Sequence, residues 1–377
     1  MKRVGVLGNG VTASAIRAFL ESANGHKEVP INNAEIIVTS PGIPPRDWPE
    51  TSVEIISDIE FAYRIITAGN HAPTIIGITG TNGKTTVTAG IAHALGVTPY
   101  GNIGTPLISQ LDEALMHDVI VLELSSYQLQ SSPTLHCDVA IIMNIEPDHL
   151  DWHESFENYM LAKKSLLKPT NQIRVLPSVL ATEFQIEDAV IIDALPVPGW
   201  PQFLGHHNEK NAAIIQDVLY RLGKTADNIA NVMAKFQLPP FRCESIYSKG
   251  ALTIINDSKA TNMAATMAAV NSFEGRKLLI LCGEPKEGYS KEWIDGILNA
   301  CDIVYAAGFL SQNQHVFPAD VINKITFFDN LRLATQAAIT EFNEGTILLS
   351  PSGASFDEFK NYLDRGEAFN DYVKDAL

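Results

Sequence analysis

The chain has 377 residues, more than one ordinary hydrophobic core organises, so two or three domains are expected. With 43 acidic residues against 27 Lys plus Arg, its formal net charge of −16 argues against a general nucleic-acid binder, while local loops and lysines remain able to hold anions. The four cysteines (Cys137, Cys243, Cys282, Cys301) form no Cys-x-x-Cys pair and read as reduced, buried thiols; no apolar run reaches the roughly 18 residues of a membrane span, so a cytoplasmic protein is expected.

Strands are predicted at 3–7, 35–39, 74–79, 119–124, 139–144, 252–256, 277–282, 302–306 and 346–350, with helical patterns between them. Several of these runs are apolar throughout, which suits strands covered on both faces, so the fold class is α/β with parallel-type sheets. The first strand runs into Gly8-Asn9-Gly10-Val11-Thr12-Ala13, a Gly-x-Gly-x-x-Ala turn that enters a helix. A dinucleotide site would place an acid about 20 residues on, after a second strand, but Glu21 and Glu28 lie in no obvious strand. Phosphates of another nucleotide fit the turn equally well.

A joint is predicted at 68–73. The next strand, Thr74-Ile-Ile-Gly-Ile-Thr79, ends in Gly80-Thr81-Asn82-Gly83-Lys84-Thr85-Thr86, and a helical pattern follows. Glycines let backbone N–H groups approach phosphate oxygens, and the helix aims its positive end at the same anion. Lys84 can reach outer phosphates and the Thr85 hydroxyl can ligate Mg²⁺. The strict Walker pattern asks for glycine five residues before Gly83, where Ile78 stands, so this is a variant loop.

Glu123 closes the apolar run Val119–Leu122, the position where a nucleotide site wants a Mg²⁺ ligand. Asp148-His149-Leu150-Asp151-Trp152-His153 follows the 139–144 strand; Leu150 replaces the glutamate of a metalloprotease helix, so one Asp and one His at a strand tip is the better reading. Composition alone makes Lys163 and Lys164 solvated helix lysines. Pro196-Val-Pro-Gly-Trp-Pro201 reads as a loop within the middle domain. Asn208 and Asn211 open a helical pattern, where asparagine caps helices by default. Leu238-Pro239-Pro240-Phe241 marks a second joint, giving domains 1–72, 73–238 and 239–377. In the last of these, Asp257-Ser-Lys-Ala-Thr-Asn262, Gly283-Glu-Pro-Lys286 and Ser350-Pro-Ser-Gly-Ala-Ser-Phe-Asp357 each follow a strand, which points to a site along the carboxyl edge of one sheet.

Taken in order, these stretches resemble the Mur ligases of peptidoglycan-precursor synthesis. Further matching segments are Ser40-Pro-Gly-Ile43, Gly101-Asn-Ile-Gly-Thr-Pro106, Glu123-Leu-Ser-Ser-Tyr-Gln-Leu129, Asn144, Pro147-Asp-His-Leu-Asp151, and the continuation of the last loop to Asn361. The Asp257–Asn262 and Ser350–Asn361 segments point to the D-glutamate-adding branch. The resemblance implies a small Rossmann-like N-terminal domain for the UDP-substrate, a central P-loop ATPase-type domain with a mostly parallel sheet, and a Rossmann-like C-terminal domain for D-glutamate. It implies an ATP-dependent ligase that joins D-glutamate to UDP-N-acetylmuramoyl-L-alanine, working as a cytoplasmic monomer. Gly80 to Thr86 would hold ATP phosphates. Thr85, Glu123, His149 and Lys163 would hold two Mg²⁺ ions, with Lys163 matching the family's carbamylated lysine. Asn208, Asn211, Arg242 and Asp257 would contact ATP across the domain cleft. Ser40, Gly42, Asn102 and Ser125 would serve the UDP-substrate, and Lys259, Thr261, Lys286, Ser355, Phe356 and Tyr362 would surround D-glutamate.

Departures accompany the resemblance. No room is expected for a full second strand between the first helix and 35–39. Gly-Glu-Pro-Lys stands where relatives usually have Gly-Asp-Gly-Lys, and Phe241 where many have histidine. The related folylpolyglutamate synthases lack the Asp-Ser-Lys-Ala-Thr-Asn loop. A nucleotide-binding protein that had lost catalysis would be expected to lack Lys84, Glu123 or His149, and all three are present.

Overall fold

The computed structural model describes residues 2–22, 25–286 and 288–377. The chain forms two compact units, 1–198 with 210–236, and 199–209 with 237–377. It passes from the first to the second between Pro198 and Gly199, inside the proline-rich 196–201 stretch.

The first unit holds two sheets. One has the order β2-β1-β3-β4, all parallel, from β1 (Lys2–Leu7), β2 (His26–Glu28), β3 (Ile36–Thr39) and β4 (Ile55–Ser57). The second strand is therefore present but only three residues long, and Glu28 ends it. That corrects the reading that Glu28 lies in no strand: His26-Lys27-Glu28 has no apolar alternation because two of its residues are exposed at the sheet edge.

The other sheet contains β5 (Thr74–Thr79), β6 (Pro99–Gly101), β7 (Val119–Glu123), β8 (Val139–Ile142), β9 (Ile173–Leu176) and β10 (Val190–Ile191). Its order is β10-β9-β8-β5-β7-β6, all parallel. β5 lies between β7 and β8, so the chain crosses sides there. The loop after β5 thus stands where strand order reverses, the place where open α/β sheets take ligands. Val4, Ile16, Val38 and Ile59 from the first sheet layer join Ile75, Tyr100, Ile120 and Leu122 in one buried core.

The second unit is built on β11 (Glu244–Lys249), β12 (Leu252–Asn256), β13 (Lys277–Cys282), β14 (Ile303–Ala307), β15 (Thr326–Phe328) and β16 (Gly345–Ser352). The order is β11-β12-β16-β13-β14-β15, with only β11 antiparallel. Side chains alternate between two cores. Ile255, Leu279, Leu281 and Leu348 pack with the helices Met263–Val270 and Lys291–Ala300, while Ile254, Leu278, Ile280 and Leu349 pack with Leu331–Glu341 and Tyr362–Ala376. Both faces are covered, which is why these strands read as unbroken apolar runs. All nine predicted strands are present; the ones missed are mostly short or at sheet edges.

Candidate active site

The helix Lys84–Leu95 starts directly after Gly83, whose φ of 84° is open to glycine at little cost. No side chain caps this helix, so its first N–H groups face the loop, a ready anion site. A Cβ at Gly83 would meet Asn211 Oδ1 at 2.8 Å, so Asn211 stands against the loop. Lys84 Nζ folds back to donate to the carbonyls of Gly80 at 2.8 Å and Thr81 at 2.9 Å. Thr85 is partly exposed in the first helical turn, and Thr86 is buried.

The loop is held from below by a residue to which the sequence reading gave no role. Asn144 Oδ1 accepts from the backbone N–H groups of Thr81 (3.1 Å) and Asn82 (2.9 Å), and its Nδ2 donates to Asn82 O at 3.2 Å. Thr81 Oγ1 lies 2.9 Å from the Tyr159 hydroxyl. One side-chain amide thus fixes two consecutive loop residues, and its position just past β8 was the available signal.

Glu123 is buried at the end of β7. Asn102 Nδ2 donates to its Oε1 at 2.9 Å, while its Oε2 is buried with no hydrogen-bond partner. A bare buried carboxylate oxygen beside a phosphate loop is a donor suited to a hard divalent cation. His149, at φ 56°, places Nδ1 2.6 Å from the Tyr127 hydroxyl and Nε2 3.5 Å from Asp148 Oδ2. His153 turns elsewhere: Nε2 meets Ser126 Oγ at 2.8 Å, the ring packs on Trp152 and Tyr127, and burial pushes its pKa down to about 4.

Lys163 overturns the composition-based reading of a solvated lysine. It is buried on the helix Phe156–Lys164, with Nζ donating to Gly80 O at 2.8 Å and to Thr79 Oγ1 at 3.4 Å, 4.7 Å from the Tyr159 ring centre. Burial holds this amine well below the usual lysine range, the charge of Lys84 lowers it further, and Asp148 and Glu123 oppose both. The ammonium cannot be solvated there, so the neutral amine gains. Lys164 is partly exposed, its Nζ 4.9 Å from the Phe184 ring centre.

Ser125 also has a structural role. It caps the helix Ser126–Gln130 in a capping box: its Oγ accepts from Gln128 N, and Gln128 Oε1 accepts from Ser125 N. Gln128 Nε2 in turn points at the buried Asp58 carboxylate, at 3.3 and 3.4 Å. On the first sheet, Gly8 and Ser40 meet where strand order reverses between β1 and β3. A Cβ at Gly8 would lie 2.5 Å from Ser40 Oγ, which is buried and unpartnered, while Gly42 is exposed. Arg17 ties Gly8 O (2.9 Å) to Glu28 (3.1 Å), so the acid at the end of β2 stands by this turn.

In the second unit, three strand-tip loops converge as the sequence suggested. Ser350 Oγ donates to Asp257 Oδ2 at 2.9 Å, and Ser352 N donates to Ala260 O at 2.9 Å. Glu284 and Ala354 exchange two backbone hydrogen bonds, of 2.8 and 2.7 Å. Lys259 Nζ sits 4.1 Å from the Tyr362 ring centre. Ser355 is buried, Thr261 partly so, and Lys286 and Phe356 are exposed. Burial pushes the Asp257 carboxyl up to about 7, opposed by the Ser350 hydroxyl, the Cys243 N–H and the Arg242 charge. Phe241 (φ 60°) and Cys243 (φ 51°) flank Arg242 in left-handed conformations, a local strain the sequence did not announce. Asn208 is buried and donates to Leu204 O at 3.1 Å.

Among the described residues no group of three or more His, Cys, Asp and Glu side chains is arranged to hold a metal, and no helix is long and apolar enough to cross a membrane.

Comparison with known proteins bears on this geometry. The family model for the Mur ligase middle domain matches residues 78–183, which contain the phosphate loop, Glu123, His149 and Lys163. The UDP-N-acetylmuramoylalanine–D-glutamate ligase of Francisella tularensis subsp. mediasiatica (strain FSC147) is 32% identical over 367 residues, covering 91% of this chain and 86% of its own. The enzyme of the same name from Zymomonas mobilis is 35% identical over 366 residues, covering 89% and 82%. Among solved structures, MurF ligase from Thermotoga maritima in complex with ADP superposes with a TM-score of 0.63 at 17% identity, covering 99% of this chain and 94% of that one. UDP-N-acetylmuramate–alanine ligase MurC from the same organism gives 0.59 at 16%, covering 100% of both. These last two share the fold. The chain belongs to the Mur ligase family, among its UDP-N-acetylmuramoylalanine–D-glutamate ligases.

Proposed function

We propose that this chain condenses UDP-N-acetylmuramoyl-L-alanine with D-glutamate at the expense of ATP, releasing ADP and phosphate. A carboxylate and an amine do not condense unaided in water, so the carboxylate is first activated. One of its oxygens attacks the γ-phosphorus of ATP, the bond to the ADP oxygen breaks, and an acyl phosphate forms. The D-glutamate nitrogen then attacks the carbonyl carbon, phosphate leaves, and the nitrogen loses a proton. The observation that carries this reading is that Glu123, with one oxygen bare, and Lys163 are both buried around the Gly80–Lys84 loop.

Lys84 and the N–H groups at the start of the uncapped helix take up phosphate charge that grows at the transferring group. Thr85, Glu123, His149 and a carbamylated Lys163 are the residues that would hold two Mg²⁺ ions. Bound magnesium would supply further neutralisation of phosphate charge. Carbamylation requires the neutral amine: Lys163 nitrogen attacks the carbon of CO₂, a proton is lost, and a carboxylate-like anion results. The depressed basicity of Lys163 suits that step. Asn102 holds Glu123, and Asn144 holds the loop.

The division into domains 1–72, 73–238 and 239–377 is part of the proposal. So are the contacts of Asn208, Asn211, Arg242 and Asp257 with ATP, and of Lys259, Thr261, Lys286, Ser355, Phe356 and Tyr362 with D-glutamate. Ser40, Gly42 and the Gly8 turn, with Glu28 beside them, are proposed to receive the UDP portion, and Asn102 and Ser125 to line the rest of the UDP-substrate. A cytoplasmic monomer is proposed. The test is ADP release by purified protein supplied with UDP-N-acetylmuramoyl-L-alanine and a panel of amino acids. Turnover with D-glutamate is expected; turnover only with another amino acid would overturn the specificity.

A further inference from the structure

Arg365 lies in the first turns of the helix Tyr362–Ala376 and is fully buried. Its guanidinium makes three hydrogen bonds: Nε to Ser258 Oγ at 3.0 Å, Nη2 to Ser258 O at 2.8 Å, and Nη1 to Gly353 O at 3.1 Å. All three acceptors are neutral, and among the described residues no carboxylate is in ion-pair distance of it. A charge in this position is costly to the fold. Burying it forfeits hydration, the nearby Glu358 carboxylate offsets this only from beyond ion-pair distance, and the positive end of its own helix is close by. An apolar side chain of similar volume would suit the core better, so what the guanidinium holds is what explains its presence.

It holds two loops and shapes a third. Ser258 precedes Lys259, and the Ser258 hydroxyl donates to the backbone carbonyl of Tyr362, the residue whose ring Lys259 faces, at 2.8 Å. Gly353 lies two residues before Ser355. Gly283, on the loop that leads to Lys286, could not carry a side chain: a Cβ there would lie 2.7 Å from Nη1 of Arg365 and 2.3 Å from Ala354 O. Gly366 is what brings this turn of helix close enough, because a Cβ at that position would strike the Phe241 ring at 2.5 Å.

We propose that Arg365 is a positioning residue for the amino-acid substrate: its buried guanidinium ties the Ser258 turn to the Gly353 turn and thereby sets Lys259 and Ser355 in fixed relation. Arg365 itself touches no substrate. The inference rests on the reading of these loops as the amino-acid site. If the wild-type protein turns over a different amino acid, the same comparison is made with that one, so the two ideas fail separately.

The experiment is steady-state kinetics of Arg365→Gln, Arg365→Lys and Ser258→Ala in the full chain, with melting temperatures measured alongside. Arg365→Gln is expected to raise the KM for D-glutamate by about tenfold or more while the KM for the UDP-substrate stays within about twofold. Arg365→Lys, which keeps the charge and part of the donor set, is expected to recover a large share of that loss. Ser258→Ala, which removes one acceptor of the three, is expected to raise the KM for D-glutamate about threefold. An unchanged KM for D-glutamate in folded Arg365→Gln overturns the proposal, as does an equal rise for both substrates. If Arg365→Gln does not fold, an unchanged KM in Ser258→Ala overturns it.

Discussion

Asn102 donates to Glu123 twice, from its backbone N–H to the carbonyl oxygen at 2.8 Å and from its side-chain amide to Oε1 at 2.9 Å. The pairing extends the register in which Gly101 on β6 faces Glu123 on β7. Gly101, at φ 99°, leaves no room for a Cβ, which would lie 2.2 Å from the Glu123 carbonyl oxygen. The result is a carboxylate with one oxygen fixed and the other bare, aimed from the end of a rigid strand.

Replacing Asn102 with alanine strips Glu123 Oε1 of its donor and loosens the carboxylate. A side chain that orients a metal ligand through a hydrogen bond typically costs 10–100-fold in affinity when lost. The expected outcome is a Mg²⁺ requirement raised by about tenfold in an ADP-release titration, with little change in melting temperature. An unchanged Mg²⁺ dependence would separate Asn102 from the metal.

Lys163→Ala is expected to lower ADP release by at least about a hundredfold, because the carbamate oxygens would be gone from a site whose effect is mainly electrostatic. Partial rescue by an added short-chain carboxylic acid is expected too. A second readout is independent of activity: ¹³C NMR in ¹³C-bicarbonate should show a carbamate resonance in the wild type that Lys163→Ala lacks. Full activity in the variant ends the idea.

Asn144→Ala removes the side-chain acceptor of the Thr81 and Asn82 N–H groups, leaving Thr81 the backbone carbonyl of residue 144 at 3.0 Å and Asn82 without it, and lets the phosphate loop move. Loss of bonds of this kind costs about 1–3 kcal/mol when the donors stay buried. A fall in kcat/KM for ATP of about tenfold to a hundredfold is expected, at unchanged affinity for the UDP-substrate. Comparable kcat/KM for ATP in variant and wild type would show that the loop is held by its own backbone.

Asp58 supplies a pH test. It is fully buried, and burial pushes its carboxyl from an ordinary 3.8 up to about 6, opposed by the Gln128 amide and by backbone N–H groups of Asp58 and Ile59. Between these values the folded state keeps a proton that the unfolded state has lost. The contribution is therefore fully present below about pH 4 and is lost as pH rises through 6. Asp58→Asn removes this dependence, so it should gain on the wild type by on the order of 1–3 kcal/mol between pH 5 and 7.5 in urea unfolding. Parallel stability curves for the two proteins across that range would contradict it.

Much of this site could be read from residue order. Thr74–Thr79 and Val119–Glu123 are apolar strands ending in polar tips, and in a parallel sheet both tips fall on one edge; the pairing of these two strands then makes the phosphate loop and Glu123 neighbours. The three polar loops of the second unit followed from the same rule. What stayed hidden depends on the surroundings of one side chain. By composition Lys163 looks like its neighbour Lys164; the family resemblance singled it out, but its burial against Thr79 and Gly80 is visible only in the packing. Arg365 carries no motif; its role is set by loops about 100 residues away and a dozen residues away along the chain. Glu28 escaped because a three-residue exposed strand has no hydrophobic signature.

The central claim is that the Gly80–Lys84 loop, with Glu123, His149 and Lys163, phosphorylates a carboxylate. The most direct measurement uses UDP-N-acetylmuramoyl-L-alanine labelled with ¹⁸O in its free carboxylate, turned over with ATP and D-glutamate, followed by mass analysis of the released phosphate. The account predicts that each phosphate carries one ¹⁸O from the substrate, since the oxygen that attacks phosphorus leaves with it. Unlabelled phosphate accompanying amide formation would contradict it.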